Sequence, residues 1–190
     1  IKESYISFLG TMKHGSIPVP LFEAFQSQGI ILRMERGNAD ILITNKELLK
    51  RIPKNVKKKV PSLKKILVVD SKKYKSKIAK CSSEFKTELM NQEDVAMMIF
   101  TSSTAGTPVA GIEIPHKAIL QQYFTGKLVL DLKKEDKYWC TAHAGWVTGS
   151  VYGIIVPLTI GCTNYVYEGH FDAKTWINFI KKNKISVMYT

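Results

Sequence analysis

The chain lacks the sequence patterns that most often announce nucleotide or metal chemistry. It has no G-x-G-x-x-G, which removes the usual dinucleotide-binding turn. It has no Walker loop either, because Gly106 and Gly111 carry the spacing but Ile112 stands where the lysine belongs. Kinase and P-loop ATPase readings fail with it. Cysteine is scarce: Cys81, Cys140 and Cys162 are an odd number, at spacings that match no metal motif. Reduced thiols in a cytoplasmic protein are expected, two of them in apolar stretches as small hydrophobes, and no metal site is expected. The first residues read as an amphipathic helix, without a basic leader region or cleavage site. Residues 145–167 hold no charge, a length that invites a membrane span. That run nevertheless contains Thr148, Ser150, Pro157, Thr159, Thr163 and Asn164 and turns strand-like in its second half. A buried helix followed by a buried strand is expected instead, and no membrane partner.

What the chain does have is lysine. Residues 46–80 hold 14 of its 28 Lys and Arg against Glu47 and Asp70, so this segment carries the whole excess of +12. Nucleic-acid readers interleave arginine and aromatics with lysine. Arg51 and Tyr74 are the only such residues here, which favours a solvated surface over a nucleic-acid partner.

Apolar spacing predicts a first helix through Tyr5, Phe8, Leu9 and Met12, ended by Gly15. Residues 17–20, with two prolines, read as an edge or loop. A second helix is predicted over 28–36, stopping at Gly37-Asn38. Strands are predicted over 40–44 and 65–70, with Asn45 capping a short helix over 46–51 between them. Residues 71–83 are polar, basic and aperiodic and read as a loop; a helix is predicted around 83–90. Residues 95–100 read as a strand buried on both faces. Further on, the expected elements are a strand at 112–114, a helix to about 129 and a strand at 138–141. A helix at 150–160, a strand at 163–167, a helix capped by Asp172 and a last strand at 185–189 complete the pattern. This alternation predicts an α/β fold with a mostly parallel sheet and flanking helices. Two sub-lobes, 1–70 and 95–190, are expected, joined by a basic irregular segment 71–94. The chain opens inside a helix and stops on a core-type strand, so a fragment of a larger domain is expected.

Residues 97–108 carry the most information. A buried strand opens into Thr101-Ser102-Ser103-Thr104-Ala105-Gly106-Thr107-Pro108. Backbone N–H groups and hydroxyls in such a loop can all point at anionic oxygens, and small residues let the backbone approach them. An ordinary Ser/Thr/Gly surface loop has the same composition.

The stretch resembles the T-S-G-T-T-G-x-P-K-G signature of AMP-forming adenylating enzymes. Thr101, Ser102, Thr104, Gly106 and Pro108 match it; Ser103, Ala105, Val109 and Ala110 depart from it, and His116-Lys117-Ala118 agrees with the helix start that follows. The segments Tyr5 to Gly10 and Pro20 to Phe25, then Cys140-Thr141-Ala142, Gly145-Trp146-Val147-Thr148-Gly149 and Tyr167-Glu168-Gly169, are similar to the amino-terminal domain of acetate-activating members. The resemblance covers essentially the whole chain.

That resemblance implies an enzyme that uses ATP with Mg²⁺ to convert a short acid to an acyl-adenylate and passes it to CoA. It assigns Thr101, Ser102, Ser103, Thr104 and Gly106 to the ATP phosphates, and Trp146, Val147, Thr148 and Gly149 to the acyl and CoA side. Trp146 and Val147 have a plainer reading as core, and for Thr148 the two readings balance. His143 stands where relatives often carry an acid, and receives no role. No catalytic residue falls in the chain, since the adenine-side, ribose-holding and lysine-bearing motifs of the carboxy-terminal part would lie beyond Thr190. The isolated chain is expected to be inactive. The alternative is a non-catalytic binding module with a degenerate phosphate loop, which Val109 and Ala110 favour.

Overall fold

The computed structural model describes residues 2–100 and 111–190. Its helices and strands alternate along the chain, and each is set by local chemistry before packing. Helix α1 (Lys2–Lys13) buries Phe8, and α2 (Ser27–Arg36) buries Ile30 and Met34. Asn38 adopts a left-handed φ of 46°, which ends α2 where the Gly37-Asn38 pair predicts. Strand β1 (Ile41–Thr44) runs parallel to β2 (Lys65–Val68), with Ile41 opposite Lys65 and Thr44 opposite Val68. Between them lie α3 (Lys46–Leu49) and α4 (Val56–Lys59). The Asn45 side chain caps α3 by accepting from Leu48 N at 2.8 Å. Leu42 and Ile66 pack with Val56, Val60 and Leu63 under α2, forming one hydrophobic cluster.

Two expectations fail in the segment that follows. Residues 72–78 form helix α5 (Lys72–Ile78), with the Ser71 hydroxyl accepting from Tyr74 N at 3.1 Å. Its lysines are exposed. Water and mobile counterions therefore screen their repulsion, and the cap suffices to start the turn. Residues 83–90 are not helical. Phe85 and Leu89 stay exposed rather than being covered by a neighbour, and helical propensity alone does not hold so short a helix.

Strand β3 (Val95–Ile99) departs from expectation in its partner. It pairs antiparallel with β4 (Ile112–Pro115), Ile99 lying opposite Ile112, so the parallel arrangement does not extend to this strand. Helix α6 (Lys117–Leu128) follows. The last sheet is parallel, with β5 (Lys137–Cys140) between β6 (Thr163–Tyr165) and β7 (Val187–Tyr189). Helix α9 (Ala173–Asn183) leads into β7, and Asp172 Oδ2 accepts from Thr175 N at 2.8 Å to cap it.

The main core gathers Met97 and Ile99 of β3, Tyr138 of β5, Leu132, and Val151, Ile154, Ile155 and Val156. The last four belong to one continuous helical run: α7 (Val147–Ser150), a π-helical stretch (Val151–Ile155) and α8 (Val156–Ile160). Pro157 has no N–H to offer the Gly153 carbonyl four residues earlier, which by itself would leave a polar gap in the interior. Asn164 of β6 fills the gap by donating its Nδ2–H to Gly153 O at 2.7 Å. Among the described residues no helix is long and apolar enough to cross a membrane.

Asn164→Ala therefore exposes the Gly153 carbonyl to a loss of about 1–3 kcal/mol in urea unfolding. Leu132→Ala, at a position with no exposure, loses about 2–5 kcal/mol, whereas exposed Leu120→Ala stays within about 0.5 kcal/mol. Equal losses at positions 120 and 132 would contradict this placement of the core.

Candidate functional site

The acyl- and CoA-side candidates stand where β5 passes into the buried helical run. Residues 141–146 make the turn. Thr141 N donates to Tyr189 O at 2.9 Å, fixing the start of the turn to β7. Trp146 N donates to His143 O and Ser150 N to Trp146 O, each at 2.9 Å, which closes the turn onto α7. The Ser150 hydroxyl, fully buried, donates to Ala144 O.

Two glycines make this packing possible. A Cβ on Gly145 would meet Phe22 N at 2.4 Å and Phe22 Cα at 2.6 Å. A Cβ on Gly149 would meet His143 O at 2.0 Å. Backbone thus lies on backbone at both points, and any side chain would force them apart. Within the Gly-Trp-Val-Thr-Gly motif, both glycines are steric requirements of the turn.

The residues between them face outward. Trp146 is 36% and Val147 47% exposed within these 190 residues. Thr148 is half-buried, and its hydroxyl has no side-chain hydrogen bond among the described residues. Trp146 leans on the Phe22 ring, with centroids 5.6 Å apart. The run thus presents an aromatic face, a branched aliphatic side chain and a free hydroxyl side by side.

Sequence reasoning missed the part His143 plays. Its Nδ1 accepts from Gly145 N at 2.8 Å, and its ring meets Phe22 edge-on at 4.9 Å. Nε2 lies 3.9 Å from Glu23 Oε2. Burial holds the imidazole below its ordinary pKa, and Glu23 opposes that shift. No local pattern could have disclosed this contact, because Phe22 and Glu23 lie some 120 residues before His143. Cys140, at the end of β5, has its thiol pushed up by burial, so it is not poised as a nucleophile.

The phosphate-side candidates Thr101, Ser102, Ser103, Thr104 and Gly106 lie outside the described residues. Their flanks are described. Ile99 and Ile112 are cross-strand partners, so Phe100 and Gly111 lie together at one end of the β3–β4 ladder. Phe100 is buried, and a Cβ on Gly111 would strike Met98 Sδ at 2.3 Å. Among the described residues, no group of three His, Cys, Asp or Glu side chains could hold a metal ion.

Residues 2–190 match the family profile of AMP-binding enzymes. The acetyl-coenzyme A synthetase of Bacillus subtilis is 39% identical over 196 residues, covering 99% of this chain and 34% of that protein. That of Methanothrix thermoacetophila is 31% identical, covering all of this chain and 32% of the relative. The chain thus spans about a third of the length of the curated relatives it matches. Among solved structures, an acyl-CoA synthetase of Brucella canis superposes with a TM-score of 0.86 at 24% identity, over 99% of this chain and 35% of its own. An anthranilate CoA ligase solved with anthranoyl-AMP gives 0.87 at 23% identity, over 97% and 36%. These two share the fold of this chain. With the profile match running almost end to end, the chain belongs to the AMP-binding enzyme family.

Proposed function

We propose that the chain is part of an acetate–CoA ligase, a cytoplasmic enzyme that activates a short carboxylic acid with ATP and transfers the acyl group to CoA. The observation that carries this reading is the outward presentation of Trp146, Val147 and Thr148 between two glycines that admit no side chain. A segment needed only for packing would turn its large side chains inward. The 39% identity to an acetyl-coenzyme A synthetase along the whole chain supports acetate as the acid.

In this proposal Trp146 and Val147 bound the small acyl group and exclude water from it, and the Thr148 hydroxyl donates to a CoA-side acceptor. Thr101, Ser102, Ser103, Thr104 and Gly106 hold the ATP phosphates through hydroxyls and backbone amides. Mg²⁺, bound with ATP, neutralises phosphate charge in the complete enzyme. Val109 replaces the lysine that the family signature places in this loop. A charged hydrogen bond contributes about 1.5–3 kcal/mol, so its loss weakens nucleotide binding by roughly tenfold or more. Reaction also needs the groups that orient the α-phosphate and the ribose, because positioning and preorganised charge supply most of the rate. We assign those groups to the remaining two thirds of a full-length relative, and these 190 residues alone to binding without turnover.

The departures at Val109 and Ala110 also favour a second reading, a binding module that kept the fold and lost the chemistry. Calorimetry with MgATP separates the two. On the enzyme reading, Val109→Lys raises affinity by about tenfold and Thr104→Ala lowers it. Nucleotide binding that neither substitution moves supports the module. Acetate-dependent pyrophosphate release by the chain alone would overturn the division of labour between its parts.

The acyl-side assignment has its own test. Gly149→Ala pushes against the His143 carbonyl, and the expected outcome is lost CoA affinity together with a loss of stability of about 1–3 kcal/mol. Thr148→Val keeps the fold and weakens CoA binding by about tenfold, read by calorimetry on the full-length protein. Unchanged CoA binding in Thr148→Val would remove the hydroxyl from the site.

A further inference from the structure

We propose that His143 is a positioning residue: its neutral imidazole, seated on Phe22 and accepting from Gly145 N–H, sets the turn that presents Trp146, Val147 and Thr148. The proposal rests on the acyl-side reading of those three residues for its purpose, though its geometry stands without that reading.

The argument begins with hydrogen-bond inventory. An imidazole nitrogen that accepts from an amide N–H cannot itself carry a proton, so Nδ1 is bare and the proton of the neutral ring sits on Nε2. That N–H points toward the Glu23 carboxylate 3.9 Å away, which stabilises the same tautomer. Protonating Nδ1 would set two donors against each other at Gly145. Gly145 cannot retreat toward Phe22, whose backbone already lies within contact of its α-carbon substituents. The strain is therefore relieved along the turn, toward Trp146.

The anchoring is shared among three rings. Phe22 touches both His143 and Trp146, with centroid separations of 4.9 and 5.6 Å. A moved imidazole thus removes the nearest of the three rings that contact Phe22, the others being Trp146 and Phe25. On the other side, Gly149 rests against the His143 carbonyl, so the same residue holds the turn by backbone and by side chain.

The charged groups that face the ring are few. Glu23 favours the charged imidazole, while burial disfavours it, and burial is the larger effect. The sign of the pH dependence follows. A histidine whose folded pKa is lowered takes up its proton more readily when unfolded. Its contribution to stability is complete above the ordinary imidazole range and is lost as pH falls from that range toward the lowered folded value.

Nitrogen-15 NMR of the chain tests this without any ligand. At about pH 7.5, long-range ring correlations are expected to show His143 as the Nε2–H tautomer. On acidification toward about pH 5, the Gly145 amide and the Trp146 indole N–H should shift with the same midpoint as the His143 ring, below the usual imidazole value. An Nδ1–H tautomer, or Gly145 and Trp146 signals that ignore the His143 titration, overturns the proposal. His143→Asn supplies a non-titrating acceptor and is expected to keep both signals near their neutral-pH positions throughout. His143→Ala should displace both already at neutral pH. Should the alanine variant fail to fold, the wild-type titration and the asparagine rescue decide alone. Because no substrate enters these measurements, failure of the acyl-side assignment would show separately, as CoA binding indifferent to Thr148→Val with the latch intact.

Discussion

The burial of one helical run governs where everything else can sit. Residues 147–160 pass through the main core between β5 and α6, with Val151, Ile154, Ile155 and Val156 all inside it. A helix sunk this deeply has no water to satisfy its backbone, so each carbonyl released by an irregularity needs a protein donor. Pro157 releases one, and Asn164 answers it across the interior. That bond ties the run to β6 while the Ser150 hydroxyl ties its start to Ala144. The run is thereby fixed over its first half, and its first turn, where the candidate acyl-side residues lie, inherits the rigidity of the core. Any binding surface built on that turn gains this backing, since a wall that yields by an ångström no longer excludes anything.

Local chemistry was the legible part of this molecule. Asn45 and Asp172 cap their helices as their spacing predicts, and the Gly37-Asn38 pair ends α2, because each of these events involves residues within four positions of one another. The alternating pattern also led correctly to an α/β architecture. Helix α5 was hidden by its composition: lysines seen on a line look mutually repulsive, whereas on the surface they are screened. The helix expected at 83–90 fails for a different reason: the segment runs along the end of α1, with Glu88 N donating to Lys13 O and Phe85 beside His14, and those contacts replace helical ones. The antiparallel pairing of β3 with β4 could not be read either, because strand direction is decided by partners distant in sequence.

At the candidate site the same division holds. The Gly-Trp-Val-Thr-Gly motif was visible as a motif, and its glycines turn out to be required by backbone contact. That Trp146 and Val147 face outward was not visible, because an apolar pair ahead of a buried helix reads as core. The role of His143 depends on Phe22 and Glu23, residues joined to it only by folding. An isolated histidine beside a glycine carries no sequence signal for such a contact.

The distribution of charge bears on how such a chain keeps its site clear. Thirteen lysines of the 46–80 segment are exposed, and among the described residues only Lys64 has a carboxylate partner, Asp40 at 2.7 Å. Arg51 is the exception among the basic residues there, turned inward to donate to the Glu23 and Phe25 carbonyls. It thus fixes from below the same 22–25 segment on which His143 and Trp146 rest. One guanidinium thus links the basic segment to the 22–25 segment against which His143 and Trp146 pack. Basic side chains of this segment therefore brace carbonyls as well as carry charge: Lys57 Nζ likewise donates to Lys64 O at 2.9 Å.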